Sequence, residues 1–270
     1  LIFAVGIIAA IFPALLLAWY FYSLDAANLS RPAVVATFAL GLASVIPVGI
    51  IEVLLMAIFG SIPSAYGRGA ARAFLAVAPA EELSHFMVLV LFCARHGRLR
   101  NPLAGMIYGA IVALGFATAE NVGYTYLLGF VSAMARAYSA VLCHAFFGAI
   151  MGYYIARARC EPKHAFILTT KSLLIPIVLH GLWDFPALTI LAREDLGVVG
   201  ELRQADLPQI ILALILMPGV MLFLWLWTLR INRRLQGERA SEVETKSKAL
   251  QESSLRASPA PQTAASINDP

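Results

Sequence analysis

Residues 76–94, AVAPAEELSHFMVLVLFCA, are apolar over most of a membrane span, yet Glu81 and Glu82 stand side by side near the middle. A carboxylate in hydrocarbon costs roughly 2.5–3.5 kcal/mol on insertion scales. A chain that bears this cost twice uses at least one of the two groups. What could meet Glu81 and Glu82 at that depth therefore constrains fold and function together. The chain is 60% hydrophobic and 13% charged, whereas a soluble domain is about a quarter charged. No succession of short alternating segments suggests a barrel, so the spanning elements are helices. The expected fold is all-α: a polytopic transmembrane helical bundle. The net charge of +4 is placed mostly at helix ends and in the tail, as membrane topology requires, and does not indicate a nucleic-acid partner.

Hydropathy predicts about seven spans: 1–22, 33–59, 72–94, 103–128, 135–157, 165–190 and 208–230. The chain begins at Leu1, so the true N-terminus is left open, and 1–22 reads as a membrane helix rather than a signal peptide. Residues 1–235 form the expected transmembrane domain. Residues 236–270 are rich in Ser, Ala, Glu, Lys, Gln and Pro and read as a disordered, solvated tail, with 238–256 able to form transient helix. Arg95, Arg98 and Arg100 follow span three, and Arg157, Arg159 and Lys163 follow span five. The alternate loops are poorer in basic residues, with Arg68, Arg72, Arg136, Arg193 and Arg203. This asymmetry predicts an integral membrane protein with a cytoplasmic C-terminus, and the expected membrane is a bacterial cell membrane. Cys93, Cys143 and Cys160 show no pairing pattern and read as small apolar residues.

With that topology, Glu81 and Glu82, Glu120, His144 and His180 all lie roughly 12–15 Å below the outer surface at 1.5 Å per residue. Four helices agreeing on one depth imply a shared polar cavity open to the extracytoplasmic side. Helical spacing puts Glu81 and His85 on one face and turns Glu82 away by about 100°. His85 is thus a candidate to neutralise Glu81. His180 and Asp184 are four apart, so the aspartate can hold the imidazole. Phe116, Glu120 and Tyr124 share a face, with Asn121 alongside. His144, Gly148 and Gly152 form a small-residue line that admits a neighbouring backbone. Pro79, Pro176 and Pro186 favour local bends. Glu52, alone in span two, has no evident partner in the sequence.

Carboxylates and histidines in a sequestered wet pocket suit the activation of water. Two arrangements fit. Glu81 deprotonates water while His144 and His180 stabilise the tetrahedral intermediate without metal. Alternatively, His144, His180 and Glu120 hold Zn²⁺, and Glu81 or Glu82 is the base. A proton- or cation-coupled transporter would use the same residue types, but such a relay would cross the bilayer rather than cluster at one depth.

EELSH at 81–85, FATAEN at 116–121, HAFFG at 144–148 and HGLWD at 180–184 follow one another on successive helices. Together they resemble the PrsW family of intramembrane proteases, related to the CAAX-protease and bacteriocin-processing superfamily, whose pattern is EExxK, FxxxEN, HxxxG and HxxxD. The resemblance spans about 70–190. It implies peptide-bond hydrolysis in a membrane-anchored protein, an anti-sigma factor in the name-giving activity, near the extracytoplasmic side. It assigns the site to Glu81, Glu82, Glu120, His144 and His180, with His85, Asn121 and Asp184 in support. His85 departs from the pattern, standing where the family usually has lysine.

Overall fold

The computed structural model describes residues 2–195 and 207–257. Among these residues seven long helices follow one another: α1 (Ile2–Ser23), α2 (Arg31–Phe59), α3 (Ala65–Ala94), α4 (Pro102–Ala137), α5 (Ala140–Cys160), α6 (Ala165–Asp195) and α7 (Leu207–Ala257). Among the described residues, α1 to α6 each contain a stretch long and apolar enough to cross a membrane. The expected seventh span, 208–230, is helical and lies within α7. Arg203, used in weighing the loop charges, lies outside the described residues.

The chain divides into two compact units, Leu1–Leu229 and Arg230–Pro270; the boundary expected from composition, 235/236, falls inside the second. In the second unit the backbone stays helical to Ala257, through the stretch read from composition as a solvated tail. Exposed pairs one turn apart, Arg234 with Glu238 and Lys248 with Glu244, accompany that helix. Tail residues 258–270 lie outside the described residues.

In the first unit, α4 and α5 form the core, and nearly every residue from Leu103 to Thr118 is buried. Their approach is set by glycine. A Cβ on Gly109 would collide with the Gly148 carbonyl, and one on Gly105 with the Gly152 carbonyl. The small-residue line beside His144 therefore does admit a neighbouring backbone, that of α4. Gly41 and Gly115 bring α2 and α4 together in the same way. Most large side chains of α2 face outward, including Ile46, Ile50, Val53 and Ile58, as a lipid-facing helix requires.

Two local features aim the polar residues. Helix α3 starts at Ala65, capped by Ser64, rather than at 72. Its turn Arg72–Val77 is π-helical and leads directly into Pro79 and the glutamates; a second π segment, Leu89–Ala94, follows them. Such wide turns recur at functional sites. Helix α6 stays helical through Pro176 and Pro186. In α4 the helix breaks at Gly129, with φ 80° and ψ −170°, a conformation essentially confined to glycine. Residues 130–137 therefore belong to an arm off α4, and span five begins at Ala140 instead of 135.

Asn28, Arg100 and Cys160 meet at one end of the bundle through Arg100 Nη2 to the Asn28 carbonyl and Cys160 Sγ to the Arg100 carbonyl. The basic connections thus share an end. Replacing Gly148 by leucine is expected to lower thermal stability sharply, because the α5 backbone cannot retreat from α4 without opening the core. Gly49→Ala, with nothing within 4 Å of the added carbon, serves as the neutral control. Thermal unfolding in detergent separates the two.

Candidate active site

The polar residues converge. A cavity of about 270 Å³ is lined by Glu81 from α3, Glu120, Tyr124 and Arg136 from α4, His144 from α5, and His180 and Asp184 from α6. Glu52 and Met56 of α2 and Val77 of α3 complete one side. Met56 lies near the end of α2, and Arg136 and Ala140 flank the α4–α5 connection. The cavity is thus set toward the end of the bundle opposite the basic connections. Its volume has room for several waters.

At its floor, Glu81 Oε2 lies 3.8 Å from His144 Nε2 and 3.8 Å from His180 Nε2. One ligand atom from each of these three residues falls within 4.8 Å of the other two. Glu81 Oε2 is buried and has no hydrogen-bond partner among the described residues. The two imidazoles meet edge to face, and Phe147 stacks on His180 with ring centres 5.0 Å apart. That stacking fixes the His180 ring plane.

Glu82 points elsewhere. It is fully buried, and its Oε1 accepts a 2.8 Å hydrogen bond from His180 Nδ1. A carboxylate facing Nδ1 favours a proton on that nitrogen, while Nε2 faces the carboxylates of Glu81 and Asp184. Asp184 Oδ2 lies 3.2 Å from His180 Nε2, so the expected one-turn pair is present. The 100° offset between adjacent glutamates separates the cavity face from the supporting face.

Three expectations differ from the arrangement. His85 meets Glu82 rather than Glu81: its Nδ1 is 3.5 Å from Glu82, three residues back, and its ring sits edge-on to Phe116. Glu120 is not part of the three-residue group suited to a metal; it contacts His144 Nε2 at 3.2 Å and forms an ion pair with Arg136. Asn121 is not in the cavity wall, and its amide instead donates to the Ala10 carbonyl, fastening α1 to α4. Cys143 is buried in the cavity wall and Cys93 is buried elsewhere, while Cys160 is exposed.

Arg136 and Glu52 were not candidates from the sequence. Arg136 reads as an ordinary loop charge, since nothing in hydropathy shows the break at Gly129. Glu52 carried a signal, an unpaired acid in a span, but no partner could be named. The cavity brings it to the same wall as Glu81.

Fold and site define a class: a polytopic helical membrane protein with a buried His and carboxylate centre suited to hydrolysis. Residues 30–227 match the family model described as PrsW family intramembrane metalloprotease. The chain is 35% identical over 192 residues to Protease PrsW of Geobacillus kaustophilus, covering 70% of this chain and 81% of the relative. Protease PrsW of Shouchella clausii is 32% identical over 180 residues, covering 66% and 81%. That of Bacillus subtilis is 35% identical over 180 residues, covering 66% and 80%. No solved structure matches. The chain belongs to the PrsW family of intramembrane metalloproteases, as its four motifs suggested. It is a peptidase acting on a membrane protein within the bilayer, and the transporter alternative has no support from fold or relatives.

Replacing Glu82 by glutamine should leave the bundle folded but free His180 to change tautomer and tilt. Loss of such an outer partner typically costs 10–100-fold in metal affinity or activity. Cleavage of a single-span membrane protein in liposomes, alongside the melting curve, checks this.

Proposed function

We propose that Glu81, His144 and His180 hold the catalytic divalent ion, and that Glu120 is the general base of peptide-bond hydrolysis. The observation that carries this reading is the convergence of three ligand atoms within 4.8 Å, one of them an unpartnered buried carboxylate oxygen. Two imidazole nitrogens and one carboxylate are a zinc-type donor set. The surroundings also favour a cation: Glu52, Glu81, Glu120 and Asp184 line one cavity whose permanent positive charge comes from Arg136. Glu81 and Glu120 thereby exchange the roles that the sequence suggested for them.

A bound zinc ion would supply Lewis acidity toward the scissile carbonyl and make a water more acidic. The side chains do the rest. Glu82 keeps His180 in the tautomer that presents Nε2. Phe147 holds the plane of that ring. Glu120, beside His144 and open to the cavity, takes a proton from water as the water oxygen adds to the carbonyl carbon. It returns that proton to the amide nitrogen as the C–N bond breaks, giving a carboxylic acid and an amine; the acid's proton then passes to the amine, leaving one carboxylate and one ammonium group.

The basic end of the bundle is read as cytoplasmic, with the C-terminus on that side. The cavity then lies in the extracytoplasmic half, which suits a cut in the outer part of a single-span substrate, an anti-sigma factor by analogy with the family's name-giving activity. Purified wild type should carry about one zinc per chain, and His144→Ala and His180→Ala should carry almost none. Glu120→Gln should keep its zinc while cleavage falls at least about 100-fold, within the 10²–10⁴ range of general-base catalysis. Zinc retained by both histidine variants sinks the ligand assignment. Wild-type cleavage by Glu120→Gln sinks the base.

A further inference from the structure

Arg136 sits where its position in the sequence would not put it. It is 16 residues beyond Glu120, and a straight helix would hold the two about 24 Å apart. Instead their side chains form an ion pair. The break at Gly129 makes this possible by turning residues 130–137 back toward the cavity. The guanidinium is then pinned from two sides. Glu120 takes Nη2, and the Tyr124 ring lies beneath Cζ at 3.9 Å.

These contacts do not exhaust the guanidinium. It has five N–H donors, and neutralising Glu120 needs one or two. Nε is buried and has no hydrogen-bond partner among the described residues. An unsatisfied buried donor carries a desolvation penalty, so natural proteins rarely leave one idle away from a ligand site. Arg136 lines the same cavity as Glu81, His144 and His180. A flat, permanently charged donor held rigid beside a general base is suited to an oxygen on which negative charge develops.

We propose that Arg136 is a further catalytic residue, whose guanidinium binds the scissile carbonyl oxygen of the substrate and stabilises the charge that builds there as water adds. This rests on the peptidase reading of the site, and on Glu120 as its base only in that the two groups are neighbours. Arg136 forms no covalent bond and transfers no proton. It takes up the oxygen's charge as the carbonyl becomes tetrahedral and releases the oxygen when the C–N bond breaks. Tyr124 and Glu120 hold its plane, and Gly129 delivers the arm that carries it.

The test uses the full-length protein in liposomes and a tagged single-span membrane protein that the wild type cleaves. Arg136→Gln and Arg136→Ala are compared for kcat, KM, zinc content and melting temperature. Loss of one preorganised oxyanion donor lowers kcat by about 10²–10³-fold. The expected result is a fall of that size in kcat, little change in KM, and unchanged zinc content and melting temperature. Millimolar guanidinium, which fits the space left by Arg136→Ala, should restore cleavage at least about tenfold, and urea at the same concentration should not. Wild-type kcat in Arg136→Gln overturns the proposal. So does a loss that tracks falling zinc or melting temperature without guanidinium rescue, which would make Arg136 a structural counterion. Absence of zinc from the wild type would overturn the ligand assignment instead and leave the rescue experiment to decide Arg136.

Discussion

Everything in this bundle depends on keeping carboxylates ionised, or usefully placed, inside a hydrophobic slab. Glu81, Glu82 and Glu120 come from two helices, and each has a different answer to its desolvation. Glu82 is answered by imidazole, accepting from His180 with His85 close by. Glu120 is answered by guanidinium. Glu81 keeps an oxygen with no hydrogen-bond partner among the described residues, between two imidazole nitrogens. Breaking a buried charge pair by removing one partner costs about 3–5 kcal/mol, so these partnerships are far from interchangeable. The least compensated carboxylate is the one that faces two potential co-ligands. This contrast is what favours the cation proposed beside Glu81.

The backbone arrangement follows from the same demand. Four helices must bring short polar side chains to one point, and bulky interfaces would hold them too far apart. Gly105 and Gly109 on α4 against Gly148 and Gly152 on α5 remove that obstacle where His144 and Glu120 have to meet. Gly181 packs against the Phe74 ring next to His180 and does the same for α3 and α6. In lipid, where apolar contact between helices gains little over contact with acyl chains, close backbone packing is also a main source of association. Glycine therefore serves cohesion and geometry with one substitution pattern.

Much of this was legible in the sequence. The helical class, the motif-bearing spans and the meeting of α3 to α6 follow from hydropathy and from the common depth of Glu81, Glu120, His144 and His180. The His180–Asp184 pair follows from spacing alone. What spacing cannot decide is which of two available neighbours a side chain takes. His85 lies four residues from Glu81 and three from Glu82, both within helical reach, and it meets Glu82. Asn121 adjoins Glu120 but is rotated toward α1, where the Ala10 carbonyl accepts its amide. Arg136 was invisible for a different reason. One glycine in an ε-type conformation reverses the arm that carries it, and nothing in hydropathy records a backbone dihedral angle.

Adjacent glutamates on a helix cannot share a task, because a 100° rotation sends them to different surroundings. Here that rotation divides one motif into a working face and a supporting face. Glu81 meets the cavity, and Glu82 reaches behind His180 to set which nitrogen the ring presents. A π turn immediately before the pair widens the helix, so the register of α3 from Arg72 onward is offset from that of an uninterrupted α-helix. The direction of both side chains is therefore a property of that turn as much as of the motif. The motif names the residues; the turn and the proline after it bear on which residue faces the cavity. His85 belongs to the supporting face as well. It borders Glu82 while its ring sits edge-on to those of Phe116 and His144. Histidine in place of lysine there is consistent with a position that packs rings and steadies a carboxylate without entering the cavity.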